Sequence, residues 1–232
     1  MGVHMARRIF IGDIHGESDQ LLSLLYQLNI QESDEIIFLG DYIDKGKDTL
    51  GVLNILKILN QELPSTRFLW GNHDLMFYEW LTDKNPVYEQ TYEGQQTIKQ
   101  LLNEEEPSHQ GKIRLLNQYK WLFNKLEFHA EYPEHVAVHG GLNFTKADPI
   151  NDTTPYEKVN TRMFISGSPI HKPIIIGHTP QPEIRLTSDK KMVNIDTNCG
   201  AGGYLSALIY HKELNLYTDK DGNPIEVLIN NK

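Results

Sequence analysis

Cysteine is almost missing from this chain: Cys199 stands alone among 232 residues, which rules out an intrachain disulfide and suits a reducing, cytoplasmic setting. Long apolar runs are missing as well, and no positively charged leader precedes an apolar stretch. Neither a membrane span nor a membrane partner is therefore expected. Basic charge is scarce, with twenty-two lysines and arginines against thirty-one acidic residues and a formal net charge of -9. That balance opposes a nonspecific grip on nucleic acid or an anionic lipid surface, so a phosphate-bearing ligand would have to be met by bound cations. No Pro/Gly/Ser-rich linker, fixed-period repeat or low-complexity tract divides the sequence, and residues 1–232 read as a single domain. Residues 1–5, with a second methionine at Met5, read as a cloning remnant, and His4 is given no role.

What is present is one local pattern used five times. An apolar strand runs into a glycine, and metal-capable side chains follow. The instances are Gly12-Asp13-Ile14-His15-Gly16, Gly40-Asp41-Tyr42-Ile43-Asp44-Lys45-Gly46, Gly71-Asn72-His73-Asp74, His139-Gly140-Gly141 and Gly177-His178-Thr179. The first three alternate with helical stripes (Leu21, Leu24, Leu25 and Leu28, then Val52, Leu56, Leu59 and Leu63), as in stacked βαβ units with a parallel sheet. Ser18 or Asp19 is the expected cap of the first helix, and Pro64 ends the second. Ligands of such sheets gather beyond the carboxyl ends of the strands.

Between about residues 75 and 130 the pattern becomes polar and helical, with helices expected over Gln96–Glu106 and Lys112–Leu126. This reads as an insertion flanking the site. Its acidic run Glu104-Glu105-Glu106 reads as a solvated face. From Ile174 onward the apolar segments read as a second, largely antiparallel sheet that includes Met192–Ile195, Leu205–Tyr210, Leu214–Tyr217 and Ile225–Ile229. Asp219-Lys220-Asp221-Gly222-Asn223 lacks the closing acidic ligand of a calcium loop and reads as a hairpin turn.

Asp13, His15, Asp41, Asn72, His139 and His178 offer a mixed oxygen and nitrogen donor set. It suits Mn²⁺, Fe or Zn²⁺ better than Ca²⁺ or a thiolate zinc site. His109, His129, His135, His171 and His211 lack the strand-glycine context and read as surface or packing residues. Gly40 to Lys47 misses the nucleotide-binding P-loop spacing by one residue and has Asp48 where Ser or Thr is needed. Cys199 lacks the arginine cradle that a cysteine phosphatase requires.

In their order along the chain, the five motifs resemble the signature of the calcineurin-like metallophosphoesterases, most closely the phosphoprotein phosphatase branch and its small bacterial and phage members. The resemblance spans about Ile9 to Thr179, with Val193–Tyr210 similar to the closing strands of those members. It implies a four-layer α/β sandwich, two mixed sheets flanked by helices. It also implies two divalent cations, Mn²⁺ first with Fe or Zn²⁺ as alternatives: one on Asp13, His15 and Asp41, the other on Asp41, Asn72, His139 and His178. His73 would then be the general acid, oriented by Asp44, and Arg162 and Lys45 would contact phosphate, Asn72 also lying against the substrate. Lys45 departs from the arginine usual in that turn and would grip phosphate without the planar fork. The activity implied is direct hydrolysis of phosphomonoesters by a metal-bridging hydroxide, foremost on phosphoserine or phosphothreonine proteins. Symmetrical diadenosine tetraphosphate hydrolysis is the alternative. Asp74 favours it, while Asp44 and Gly177-His178-Thr179 favour the phosphatase. A noncatalytic metal-binding module is the remaining rival.

Overall fold

The computed structural model describes residues 7–103 and 107–227. Residues 1–5, the run Glu104-Glu105-Glu106 and the end of the expected last strand lie outside them.

β1 (Arg7–Ile11) and β2 (Glu35–Phe38) are apolar on both faces and pair in parallel, with Arg8 opposite Glu35 and Ile11 opposite Phe38. Between them runs α1 (Ser18–Leu28), and α2 (Thr49–Glu62) leads to β3 (Arg67–Leu69), which adds in parallel to β2. The α1 cap differs from expectation. Glu17 occupies the position without a side-chain bond, because the Ser18 hydroxyl is drawn to Asp48 instead (2.5 Å). Asp48 in turn caps α2 by accepting from the Gly51 amide at 2.9 Å.

The next segment is helical, in shorter pieces than the polar pattern indicates: α3 (Asn72–Leu81), a 3-10 turn at Tyr88–Gln90, α4 (Tyr92–Leu102), α5 (His109–Gln118) and α6 (Lys120–Phe123). Thr91 and Ser108 each accept an amide as N-cap, which starts α4 and α5 earlier than apolar periodicity suggests. Short strands β4 (Leu126–Glu127), β5 (Ala130–Glu131) and β6 (Val136–Ala137) follow, then α7 (Pro149–Asp152), α8 (Pro155–Asn160), β7 (Ile174–Ile176), β8 (Arg185–Leu186), β9 (Met192–Asn194), β10 (Ala207–His211), β11 (Leu216–Asp219) and β12 (Pro224–Ile225).

Among the described residues the strands form a seven-stranded sheet, β12-β11-β10-β1-β2-β3-β4, and a five-stranded sheet, β5-β6-β7-β9-β8. This corrects the expectation of one antiparallel C-terminal sheet. β7 and β9 run parallel to each other and to β6, whereas β10 crosses to the first sheet and pairs antiparallel with β1, Phe10 opposite Leu208. The physical reason is burial: β1 is apolar on both faces and would otherwise present an open edge. The Asp219–Asn223 hairpin turn is present, closed by the Asp219 amide on the Asn223 carbonyl at 2.9 Å.

Strand alternation sorts the core into layers. Ile9, Ile11 and Phe38 face the helices α1 to α6; Phe10, Ile37, Ile175, Val193 and Leu208 fill the space between the sheets; Ile174 and Ile176 face outward onto Ile150 and Met163. The order is helices, sheet, sheet, helices and loops, the four-layer α/β sandwich.

Candidate metal centre and active site

The loops after β1, β2, β3, β6 and β7 meet at one place. Backbone bonds join the first two: the amides of Ile14 and His15 both donate to the Asp41 carbonyl, at 3.0 and 2.9 Å. Close approach explains the glycines. A Cβ on Gly12 would lie 2.4 Å from the Ile195 carbonyl oxygen, and one on Gly177 would lie 2.2 Å from the Asp13 carboxylate. His15, Asp41, Asp44, Lys45 and His178 all adopt positive φ, from 48° to 70°. Each such non-glycine residue carries strain of order 1–3 kcal/mol, which persists where the surroundings leave no alternative.

The Asp41 carboxylate lies between two groups of donors. Its oxygens stand 3.4 Å from His15 Nε2 on one side and 3.4 Å from His139 Nε2 on the other, and it accepts the His73 amide at 3.0 Å. Carbonyls set both imidazoles. His15 Nδ1 faces the Ile43 carbonyl and His139 Nδ1 the Leu39 carbonyl, each at 2.9 Å, which turns each Nε2 toward Asp41. The Asn72 side-chain oxygen is 3.1 Å from His139 Nε2 and 2.8 Å from His178 Nδ1. Asp13 accepts the His178 amide, at 3.1 Å to the nearer oxygen. All six expected donors are thus brought to one site, four from loops of the seven-stranded sheet (Asp13, His15, Asp41 and Asn72) and two from loops of the five-stranded sheet (His139 and His178).

Its electrostatics call for cations. Asp13, Asp41 and Asp196 are each 2% exposed. Burial raises the Asp13 carboxyl well above its usual range and Asp196 raises it further. Burial acts the same way on Asp41, but His139 and His73 outweigh it and hold Asp41 well below the usual range. At His139 burial opposes protonation, yet Asp41 and Asp13 lift it to about 9, while burial takes His15 and His178 down to about 4. Buried carboxylates in contact need compensating positive charge. His178 Nε2 is a further buried polar atom without a hydrogen-bond partner. Donor atoms of Asp41, His139 and His178 lie within 4.8 Å of one another, as do those of His15, Asp41 and His73. The residues fit divalent cations on both sides of Asp41. The group on the His15 side contains His73 in place of the expected Asp13.

His73 Nδ1 is 2.7 Å from Asp44 Oδ2. Burial lowers the basicity of this imidazole, but Asp41 and Asp44 outweigh burial and hold it above its ordinary value. Lys45 Nζ lies 2.7 Å from His15 Nε2. Arg162, just beyond α8, is exposed, and its charge is among those that lower His178.

Four residues beyond the expected set take part. Asp74, buried in the first turn of α3, accepts the amides of Asp41 (2.7 Å), Gly71 (3.0 Å) and Tyr42 (3.1 Å), and so ties two motif loops together. Its signal was an acid at the third helical position, a capping place. Asp196 follows β9 at a sixth strand end that has no adjoining glycine. Thr97 and Tyr88, in the helical segment, reach Asp44 with no motif to mark them.

The sequence model of the calcineurin-like phosphoesterases matches residues 6–210. The chain belongs to that family. A bis(5'-nucleosyl)-tetraphosphatase PrpE [asymmetrical] of Halalkalibacterium halodurans is similar at 24% identity over 223 residues, covering 85% of this chain and 87% of the relative. A shorter stretch of 66 residues, 28% of this chain and 22% of the relative, is 42% identical to a symmetrical bis(5'-nucleosyl)-tetraphosphatase of Yersinia pestis. Two solved structures share the fold. A chain provisionally named a diadenosine tetraphosphatase has a TM-score of 0.64 at 21% identity, covering 97% of this chain and 96% of that one. A cold-active protein-tyrosine phosphatase of a Shewanella species has a TM-score of 0.70 at 17% identity, covering 97% and 81%. As a family member the chain is a metallophosphoesterase, a hydrolase of phosphoester bonds, and no described helix is long and apolar enough to cross a membrane.

Proposed function

We propose that this metallophosphoesterase cleaves dinucleoside polyphosphates, with asymmetric cleavage of diadenosine tetraphosphate as the first activity to test. The observation that carries this reading is the relative of asymmetrical tetraphosphatase name that matches along 85% of the chain. It displaces the phosphoprotein reading from first place, and the symmetrical mode drops behind because its similarity is confined to a short stretch.

Asp13, His15 and Asp41 would hold one divalent cation, and Asp41, Asn72, His139 and His178 the other. Mn²⁺ is proposed first, with Fe or Zn²⁺ as alternatives. Two such cations supply a water of lowered pKa and neutralise phosphoryl oxygens. The remaining groups belong to the chain. His73 carries a proton on the nitrogen turned away from Asp44 and passes it to the departing oxygen. Asp44 fixes the imidazole ring, with 2.7 Å between the paired atoms. Lys45 and Arg162 supply point and fork contacts to phosphate oxygens.

The same His73–Asp44 pair favours a second reading. An alkoxide leaving group needs a proton far more than a nucleotide phosphate does, so a built proton donor suits phosphomonoesters, including phosphoserine and phosphothreonine. Incubation of the Mn²⁺-loaded protein with diadenosine tetraphosphate, resolved by anion-exchange chromatography, distinguishes the cases. ATP plus AMP is the expected product pair; two ADP would mean symmetrical cleavage. No dinucleotide turnover alongside release of phosphate from phosphopeptides would give the site to the second reading. Metal-loaded protein inert toward every phosphoester would make it a binding module.

A further inference from the structure

Asp44 is held from two sides. Its Oδ2 meets His73 Nδ1 at 2.7 Å, and its Oδ1 accepts two hydroxyls at 2.6 Å each, from Tyr88 and Thr97. Tyr88 is 2% exposed and Thr97 fully buried, so no water competes for these bonds. Burial and the Asp44 charge raise the Tyr88 phenol well above its ordinary value, which keeps it a donor. The same helix grips the loop further along. The Gln100 side chain accepts the Thr49 amide at 2.6 Å and donates to the Gly46 carbonyl at 3.1 Å.

We infer that Tyr88 and Thr97 are positioning residues for proton donation: the helical segment 88–102 fixes the rotation of the Asp44 carboxylate and thereby aims His73 at the departing oxygen. Without the two hydroxyls, Asp44 at φ 70° would have nothing to hold Oδ1, and the carboxylate could turn about its Cβ–Cγ bond. Two charge-assisted bonds into a site closed to water make that turn costly. The helices that the strand-glycine motifs leave out are then part of the reaction apparatus rather than a lateral addition.

The inference rests on His73 being the proton donor, and the test separates the two ideas. Tyr88→Phe, Thr97→Val, the double variant and His73→Asn are compared on p-nitrophenyl phosphate, whose leaving group needs no proton, and on phenyl phosphate, whose leaving group does. Each hydroxyl deletion is expected to lower kcat on phenyl phosphate roughly 3–10-fold, with about twofold or less on p-nitrophenyl phosphate and KM and metal content retained. Equal losses on both substrates would overturn the inference, since a general loosening of the site is blind to the leaving group. If His73→Asn itself shows no leaving-group dependence, the proton-donor reading fails first. A second measurement needs no turnover. The downfield proton resonance of the His73–Asp44 bond, assigned by its loss in His73→Asn, should shift in Tyr88→Phe and Thr97→Val while the rest of the spectrum stays in place. An unmoved resonance would also overturn the inference.

Discussion

His73 differs from the other histidines of the site in what its nitrogens do. His15 and His139 each spend Nδ1 on a backbone carbonyl and present Nε2 to Asp41. His73 spends Nδ1 on a carboxylate, which favours the charged ring and leaves its other nitrogen with a proton to give. Replacing His73 by Asn should lower kcat by about 10²–10⁴-fold on substrates with poor leaving groups. Both metals should stay bound, as read by metal analysis after gel filtration. Loss of metal along with activity would instead place His73 among the ligands, which is where simple proximity to His15 and Asp41 would put it. Asp74 acts at the same scale through backbone amides. Three amides converge on it, two of them in the loop that carries Asp41. A buried carboxylate that closes two loops explains why Asp41 holds a positive φ.

At the scale of elements, the seam between the sheets holds a different histidine. His135, just before β6, is fully buried; its Nε2 accepts from Arg8 at 3.0 Å and its Nδ1 faces the Tyr217 hydroxyl at 2.8 Å. Burial lowers it to about 2, with Arg8 adding to the effect. The sign follows directly. Unfolded histidine binds a proton below about pH 6.5 and the folded one refuses it until about pH 2, so stability is lost as pH falls through that window. His135→Asn should make the fall of unfolding free energy below pH 6 shallower by up to about 1.4 kcal/mol per pH unit, measured in urea at stepped pH. An unchanged slope would show that the ring is protonated in the fold. The sequence reads His135 only as a surface or packing residue because it lacks the strand-glycine context, and its partners come from β1 and β11, which no local pattern could announce. The strand ends were legible for the opposite reason. Close approach of a neighbouring backbone at Gly12 and Gly71, and of the Asp13 carboxylate at Gly177, demands glycine there, and glycine beside Asp, Asn or His is visible in a one-dimensional string. Sheet assignment was not legible, since β7, β9 and β10 are equally apolar and only the open edge of β1 decides where β10 goes. Tyr88 and Thr97 were hidden because they reach Asp44 across more than forty residues, through helix packing.

Over the whole molecule, the donor set is divided between the two sheets. Asp13, Asp41 and Asn72 follow strands of the seven-stranded sheet, while His139 and His178 follow strands of the five-stranded sheet. Away from the site the sheets meet through apolar side chains, Phe10, Ile37, Ile175 and Leu208 among them, and through the polar contacts of His135. Cations held at Asp41 would therefore tie the sheets together at one end of that seam and relieve the repulsion among Asp13, Asp41 and Asp196. Binding confined to the folded state stabilises by about 2.7 kcal/mol when free metal is a hundred times its dissociation constant. Chelator-treated protein should accordingly unfold at a lower temperature than protein with added Mn²⁺, by roughly 5–11 °C for that free energy in a chain of this size. His178→Ala should reduce the metal-dependent rise, because it removes a donor from the five-stranded sheet. A substitution at exposed His109 should leave the rise intact. If His178→Ala responded to Mn²⁺ as fully as the unaltered chain, His178 would have to be struck from the ligands, leaving His139 as the one donor of the five-stranded sheet in the proposed set.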